Sequence, residues 1–203
     1  MAIQLPLLSL NGIEAIDVAS IPLPYGTAPI SSIQTAATHA DLSGLIDKVA
    51  AADAAGHNVY MRPHWRHRSG PVLIDDVSHD TLDQMIRDDL ALVLAVETSA
   101  GNFQAWINLH AGSLGKLYRD ALAMALAQIY DGDPEAAISE QFGRVVGTRN
   151  HKPQANGFLS RIEIWNPQPP RMPTWGERTL EATRLHLEAQ RQRDAEFAST
   201  FRR

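Results

Sequence analysis

The chain has 203 residues, a size that suits one domain with a small appendage, and its composition is that of a folded globular protein rather than a disordered or collagen-like one. It contains no cysteine, which excludes a disulfide framework and a thiolate metal site, and it has no apolar run long enough to span a bilayer. The net charge of -5 is unevenly spread: residues 1–143 carry 7 basic and 17 acidic side chains, residues 144–203 carry 11 and 6, so the acidic whole does not exclude a local phosphate-binding surface.

The opening MAIQLPLLSLNG has no basic residue ahead of its apolar run and is a poor signal peptide, so a soluble, cytoplasmic protein is expected. Residues 1–38 give no clear element, with IPLPYGTAPISS reading as loop. DLSGLIDKVAAADAAGH predicts a helix with Leu42, Leu45, Ile46 and Val49 on one face and a stop at Gly56. NVYMRP predicts a short strand ended by Pro63, HWRHRSG a basic loop and PVLID a second strand. SHDTLDQMIRDDL predicts a helix capped by Ser78 or Thr81 that buries Leu82, Met85 and Ile86.

ALVLAVET is continuously apolar and predicts a central strand. After the SAGN turn, FQAWINLH alternates, with Phe103, Ala105, Ile107 and Leu109 on one face and Gln104, Trp106, Asn108 and His110 on the other. A helix is then expected from about Ser113 to Tyr130, burying Leu114, Leu117, Tyr118, Ala121 and Ala125. YDGDP breaks it, EAAISEQFGRVVG is expected to be helical, TRNHKPQANG is a basic loop, and FLSRIEIWN is a last strand with Ile162 and Ile164 inward. PQPPRMP is a stiff linker, and Thr174 with Glu177 forms a capping-box pattern for a final Arg-rich helix. Helices mixed with antiparallel hairpins predict an α+β fold, a sheet with helices packed on one face.

Four places carry candidate chemistry. Asp75 and Asp76 end a strand side by side, and carboxylates so placed suit a hard divalent cation, or simply a helix cap and a solvated acid. Asp133 in YDGDP is a third acid or a turn residue. Ser99, Asn102 and Gln104 set neutral donors around a tight turn, as oxygen atoms of a phosphate chain or a sugar require; a polar hairpin is the plainer reading. Arg144, Arg149, Asn150 and Lys152 supply positive charge suited to phosphate, or form a solvated basic loop. His64 and His67, beside Arg66 and Arg68, read as surface histidines near phosphate; without cysteine or an HExxH pattern zinc is not expected. No P-loop and no Ser-His-Asp arrangement is recognisable.

Taken in order, GHNVYMRP, GPVLIDDV, LAVETSAGNFQAW and IYDGDPEAAISEQFGRVVGTRNHK resemble the catalytic domain of the RepB-type primases of small mobilisable plasmids, within the archaeo-eukaryotic primase superfamily. The likeness runs from about Gly56 to Trp165. It implies an RRM-like antiparallel sheet whose polar face holds the active site. It also implies that Asp75, Asp76 and Asp133 hold two divalent ions, Mg²⁺ or Mn²⁺. Ser99, Asn102 and Gln104 would touch the incoming nucleotide. Arg144, Asn150 and Lys152 would contact triphosphate or template, and Arg62, Arg66, Arg68 and Arg149 the nucleic acid. Many superfamily members have His where this chain has Gln104; the RepB-type primases resemble it in having Gln. Relatives carry a further C-terminal helical domain, whereas here a linker and the Arg-rich helix follow.

The expected organisation is an N-terminal segment over 1–38, a primase-like catalytic domain over 39–166, and a linker with a C-terminal helix over 167–203. The activity implied is primer synthesis on single-stranded DNA from nucleoside triphosphates in plasmid or mobile-element replication, with a replicative helicase or plasmid replication proteins as candidate partners and no membrane. An RRM-like single-strand binder without catalysis and a metal-dependent nuclease are the alternatives.

Overall fold

In the computed structural model, residues 2–9, 13–23, 31–64, 71–108 and 115–167 are described, together with 188, 191 and 192. Chain order gives β1 (Ile16–Ile21), β2 (Ser31–Ala37), α1 (Leu42–Ala54), β3 (Asn58–Pro63), β4 (Val72–Val77), α2 (His79–Arg87), β5 (Leu92–Ser99), β6 (Asn102–Ile107), α3 (Lys116–Ile129), β7 (Gly143–Arg144) and β8 (Arg161–Trp165). The α+β class and the antiparallel pairing are as expected. The strands form two sheets of four, in the orders β2-β1-β3-β7 and β4-β6-β5-β8. No helix among the described residues is long and apolar enough to cross a membrane.

The segment ahead of residue 39, which showed no pattern in the sequence, supplies β1 and β2, half of the first sheet. Asp17 on β1 knits that sheet together. Its buried carboxylate accepts hydrogen bonds from Ala36 N–H on β2 (3.1 Å), Arg62 Nε on β3 (3.2 Å) and His64 Nδ1 just beyond it (2.8 Å). Helix α1 opens where Asp41 Oδ2 accepts from both the backbone and the hydroxyl of Thr38, each at 2.9 Å, and it buries Leu45 and Val49. It stops as predicted at Gly56, whose φ of +81° a side chain would disfavour.

Strand β6 positions the site. Its alternation sends Phe103, Ala105 and Ile107 into a core built with α2 and α3. Trp106 turns the other way, into a second core that unites Val18, Val59 and Met61 of the first sheet with Leu73, Leu94 and Val96 of the second. Gln104 shares the Trp106 face by period-two geometry. That face is packed with apolar side chains at one end, and at the other it opens into a polar cavity.

Three expectations shift. Helix α2 is capped by Ser78, whose Oγ accepts from Thr81 N–H, and it buries Leu82 and Met85; Ile86, however, is 54% exposed. Helix α3 buries Leu122, Ala123, Leu126 and Ala127; of the predicted row, Leu117 is 52% exposed, Tyr118, Ala121 and Ala125 are half-buried, and Leu114 lies outside the described residues; adjacent rows of this Ala-rich helix are both apolar, so periodicity alone does not fix its phase. Residues 135–147 are not an α-helix. A 3-10 turn (Pro134–Ala136) leads into β7, which pairs with β3, and Val145 and Val146 are both fully buried, as extended β-branched residues allow and a half-exposed helix does not. Of the final Arg-rich helix, only residues 188, 191 and 192 are described, and they are helical.

Gly143 is required by packing: a Cβ there would sit 2.5 Å from Cζ2 of the buried Trp106. Gly143→Ala is expected to destabilise the chain by about 1–3 kcal/mol as an overpacking substitution, lowering Tm by about 3–10 °C in a thermal melt followed by circular dichroism.

Candidate active site

The acidic wall starts from an irregularity. Pairing of β4 with β6 breaks between Ile74 and Val77, and Asp76 adopts φ +58°, a left-handed conformation that Asp tolerates better than most residues. The bulge answers a geometric problem, because neighbouring strand residues otherwise face opposite ways. Here Asp75 and Asp76 line the same cavity. Asp76 N–H donates to Asp75 Oδ1 (2.9 Å), and Asn102 Nδ2 donates to Asp76 Oδ1 (2.8 Å).

Asp133 reaches this wall through its backbone, Asp133 N–H donating to the Asp75 carbonyl at 2.9 Å. Gly132 makes the approach possible, since a Cβ there would lie 2.6 Å from Ile74 Cγ2 and 3.0 Å from the Asp75 carbonyl oxygen. Asp133 Oδ1 accepts from Glu135 N–H (2.8 Å) and caps the 3-10 turn. Burial, and then the Asp76 charge, hold the Asp75 carboxyl above its ordinary value of 3.8; a hydrogen bond from Gln104, the Asp76 N–H and the attraction of Lys152 work in the opposite direction.

The basic wall is built around Arg144, only 2% exposed. Its Nη1 donates to Asn58 Oδ1 (2.7 Å) and the Arg149 carbonyl (3.2 Å), its Nη2 to Asn150 Oδ1 (3.1 Å) and Tyr60 Oη (3.3 Å), and its guanidinium lies 5.0 Å from the Tyr60 ring centroid. Among the described residues no carboxylate lies within 4 Å of it, and its buried Nε has no hydrogen-bond partner. Asn150 is pinned by its Nδ2 donating to the Thr98 carbonyl (2.8 Å). Asp53 on α1 braces the same segment, accepting from Arg149 N–H (2.8 Å) and His151 Nε2 (3.0 Å). Gln104 joins the two walls: Oε1 accepts from Arg144 N–H at 2.7 Å while the side chain also hydrogen-bonds Asp75.

The β5–β6 turn closes the rim. Gly101, at φ +73°, donates its N–H to Glu97 Oε1 (3.0 Å), and Glu97 pairs with Arg161. One open cavity of about 500 Å³ is thus lined by Asp75, Asp76, Asp133, Ser99, Asn102, Gln104, Arg144, Asn150 and Lys152, all singled out in the sequence. Arg62 and Arg149 do not line it. Arg62 is tied to Asp17 and to the Glu140 carbonyl (2.9 Å), and Arg149 pairs with Asp53 at 3.6 Å. Arg66, Arg68 and His67 lie outside the described residues. His64 is not a surface histidine; it is 7% exposed and bonded to Asp17. Sequence reasoning passed over Tyr60 and Phe142, which also line the cavity; their spacing, each two residues from a singled-out arginine (Arg62 and Arg144), was the available signal.

The donor set fits a hard divalent cation. Three carboxylates share one cavity, the first is charged at a cost in burial, and Asn102 Oδ1 is a buried acceptor without a donor. No group of three acidic or histidine side chains among the described residues stands close enough to form a finished chelate. Repulsion between carboxylates opposes closer approach, and Asp133 is engaged in its cap.

This architecture is that of a primase–polymerase fold. The AEP domain of the cyanophage S-2L primase-polymerase is similar in fold at a TM-score of 0.51 and 12% identity, over 76% of this chain and 86% of that one. Primase–polymerases generally use divalent metal ions. Residues 28–176 match the profile of the RepB DNA-primase N-terminal domain, and the chain belongs to that family. It is similar to the catalytic domain of primase RepB′, solved in complex with initiator DNA, with a TM-score of 0.78 and 29% identity over 92% of this chain and 94% of that one. It is 42% identical over 100 residues to Mobilization protein A of Escherichia coli, which is 49% of this chain but 14% of that protein.

Because the Asp75 proton is held more tightly in the folded state, its contribution to stability falls as pH rises from about 3.8 through the folded value, and the penalty is in full force at neutral pH. In EDTA at pH 7, Asp75→Asn is expected to raise Tm by about 2–4 °C, corresponding to about 1 kcal/mol. The advantage over the unsubstituted chain should shrink as pH falls through the folded value and vanish well below 3.8, where both states carry the proton; melts across pH check this.

Proposed function

We propose that the chain is the catalytic domain of a DNA primase, a nucleotidyltransferase that builds short primers on single-stranded DNA in plasmid or mobile-element replication. The observation that carries the reading is a single cavity with three carboxylates on one side and, on the other, a buried arginine whose hydrogen bonds all go to neutral acceptors. A buried cation without an anion is costly, and an anionic ligand relieves that cost. Family membership supports the same activity.

Asp75, Asp76 and Asp133 would hold two divalent ions, Mg²⁺ or Mn²⁺, which when bound lower the pKa of an attacking 3′-hydroxyl and neutralise charge on the α-phosphate. Arg144, Asn150 and Lys152 grip the triphosphate and align pyrophosphate for departure. Ser99, Asn102 and Gln104 orient the nucleotide from the hairpin side. Arg62, Arg66, Arg68 and Arg149 would contact the nucleic acid. Single-stranded DNA and nucleoside triphosphates are the substrates in this reading, replicative helicase or plasmid replication proteins are the partners, and the cytoplasm is the compartment. A binder that works by stacking bases on a sheet needs exposed aromatics there. Trp106, the large aromatic of β6, is 1% exposed.

The test is primer synthesis on single-stranded template with labelled nucleotides and Mg²⁺ or Mn²⁺. Short labelled products are expected, lost in EDTA and reduced at least ~100-fold in the Asp75→Ala, Asp76→Ala double variant and in Asp133→Ala. Template retention without product would point to a binder, and template shortening to a nuclease.

A further inference from the structure

We propose that Phe142 is the base platform of this cavity: its ring stacks on the nucleobase of the incoming nucleoside triphosphate while Arg144 and its neighbours take the phosphate chain. The inference rests on the nucleotide-site reading and extends it to a part of the cavity that phosphate chemistry leaves unexplained. The lining is amphipathic. Beside the acids and the arginine stand Ala19, Ile21 and Phe142, apolar groups with no use for a phosphate or a metal ion. A nucleoside triphosphate is amphipathic in the same sense, with a flat apolar ring at one end and concentrated negative charge at the other.

The ring is prepared for the task. The Arg62 guanidinium lies 4.4 Å from its centroid, a cation–π contact that fixes the ring's tilt. Arg62 cannot swing away, because Asp17 Oδ2 holds its Nε at 3.2 Å and the Glu140 carbonyl holds Nη1 at 2.9 Å. The aromatic side chain is thus immobilised from behind, so little ordering is lost when a base settles on it. Phe142 stands two residues before Arg144, about 6–7 Å along an extended chain, a separation on the scale of base to phosphate within one nucleotide. A stacking platform reads no base edge, so it serves an enzyme that accepts every base its template requires.

The experiment measures binding rather than synthesis. The intact chain with Mg²⁺ is titrated with dATP and, separately, with inorganic tripolyphosphate. Phe142→Leu is expected to weaken dATP binding about tenfold and leave tripolyphosphate binding unchanged, and Phe142→Tyr to restore dATP affinity. Equal dATP affinity in Phe142→Leu, equal loss of both ligands, or no recovery in Phe142→Tyr overturns the platform while leaving the nucleotide site standing. If the unsubstituted chain binds neither probe, the nucleotide-site reading falls, and the platform with it. Should Phe142→Leu not fold, Phe142→Trp carries the test: dATP must change its indole emission and tripolyphosphate must not, and emission indifferent to dATP overturns the proposal.

Discussion

Opposite charges that share a cavity tend to collapse onto one another, and this structure keeps them apart. Arg144 is buried and lines the same cavity as Asp75, yet its guanidinium is spent on Asn58, Asn150, Tyr60 and a backbone carbonyl. Neutral acceptors satisfy hydrogen-bonding geometry without cancelling charge. The arginine therefore keeps its full attraction for an anion, and the acids keep theirs for a cation. A direct salt bridge would be more comfortable for the folded protein and useless for binding a ligand that carries both phosphate and metal. Keeping the two apart is preorganisation, and it costs electrostatic energy before any ligand arrives.

The fold meets that cost with close backbone contacts rather than more charge. The β4 bulge turns two adjacent acids toward one space, Gly132 lets the Asp133 turn lie against β4, and Gly143 lets β7 lie flat on Trp106 so that Arg144 is delivered at a fixed height above the cavity floor. Asn58 extends this logic: one buried carboxamide oxygen receives both Arg144 Nη1 and His151 N–H (3.0 Å), so the arginine and the segment bearing Asn150 and Lys152 share one anchor on β3.

Much of this was legible in the sequence, and what was not has identifiable physical causes. The strict alternation of Phe103 to Ile107 announced both the β6 strand and the side on which Gln104 would lie, because burial on one face imposes period two. The nine cavity residues were chosen by chemistry and motif order, which survive ignorance of exact geometry. β1 showed no alternation because Ile16 to Ser20 are all buried, and β2 showed none because it is a largely exposed edge strand, which is not required to alternate strictly. The EAAISEQFGRVVG stretch looked helical by composition, and tertiary demand overrode it: Gly143 and Val145 had to pack in extended form against a partner distant in sequence. The Arg62–Asp17 ion pair was not legible, because sequence cannot show that Asp17 waits on a neighbouring strand. Phe142 offered only its two-residue spacing from Arg144, a signal that acquires meaning once a cavity forms around both.

The identity of residue 104 follows from its position between the two walls. It must accept a hydrogen bond from Arg144 N–H and at the same time donate toward Asp75. A carboxamide does both, in every protonation state its surroundings pass through. A neutral imidazole can also do both, but an imidazolium only donates; once protonated it would leave the Arg144 N–H without an acceptor and add a positive charge facing a cation site. Where this chain carries Gln104, the bridge between acid and arginine is insensitive to proton uptake at the bridging residue itself. Beside that bridge stands Asp75, whose carboxyl is held above its ordinary value by burial and the Asp76 charge and whose ionisation a bound cation would favour.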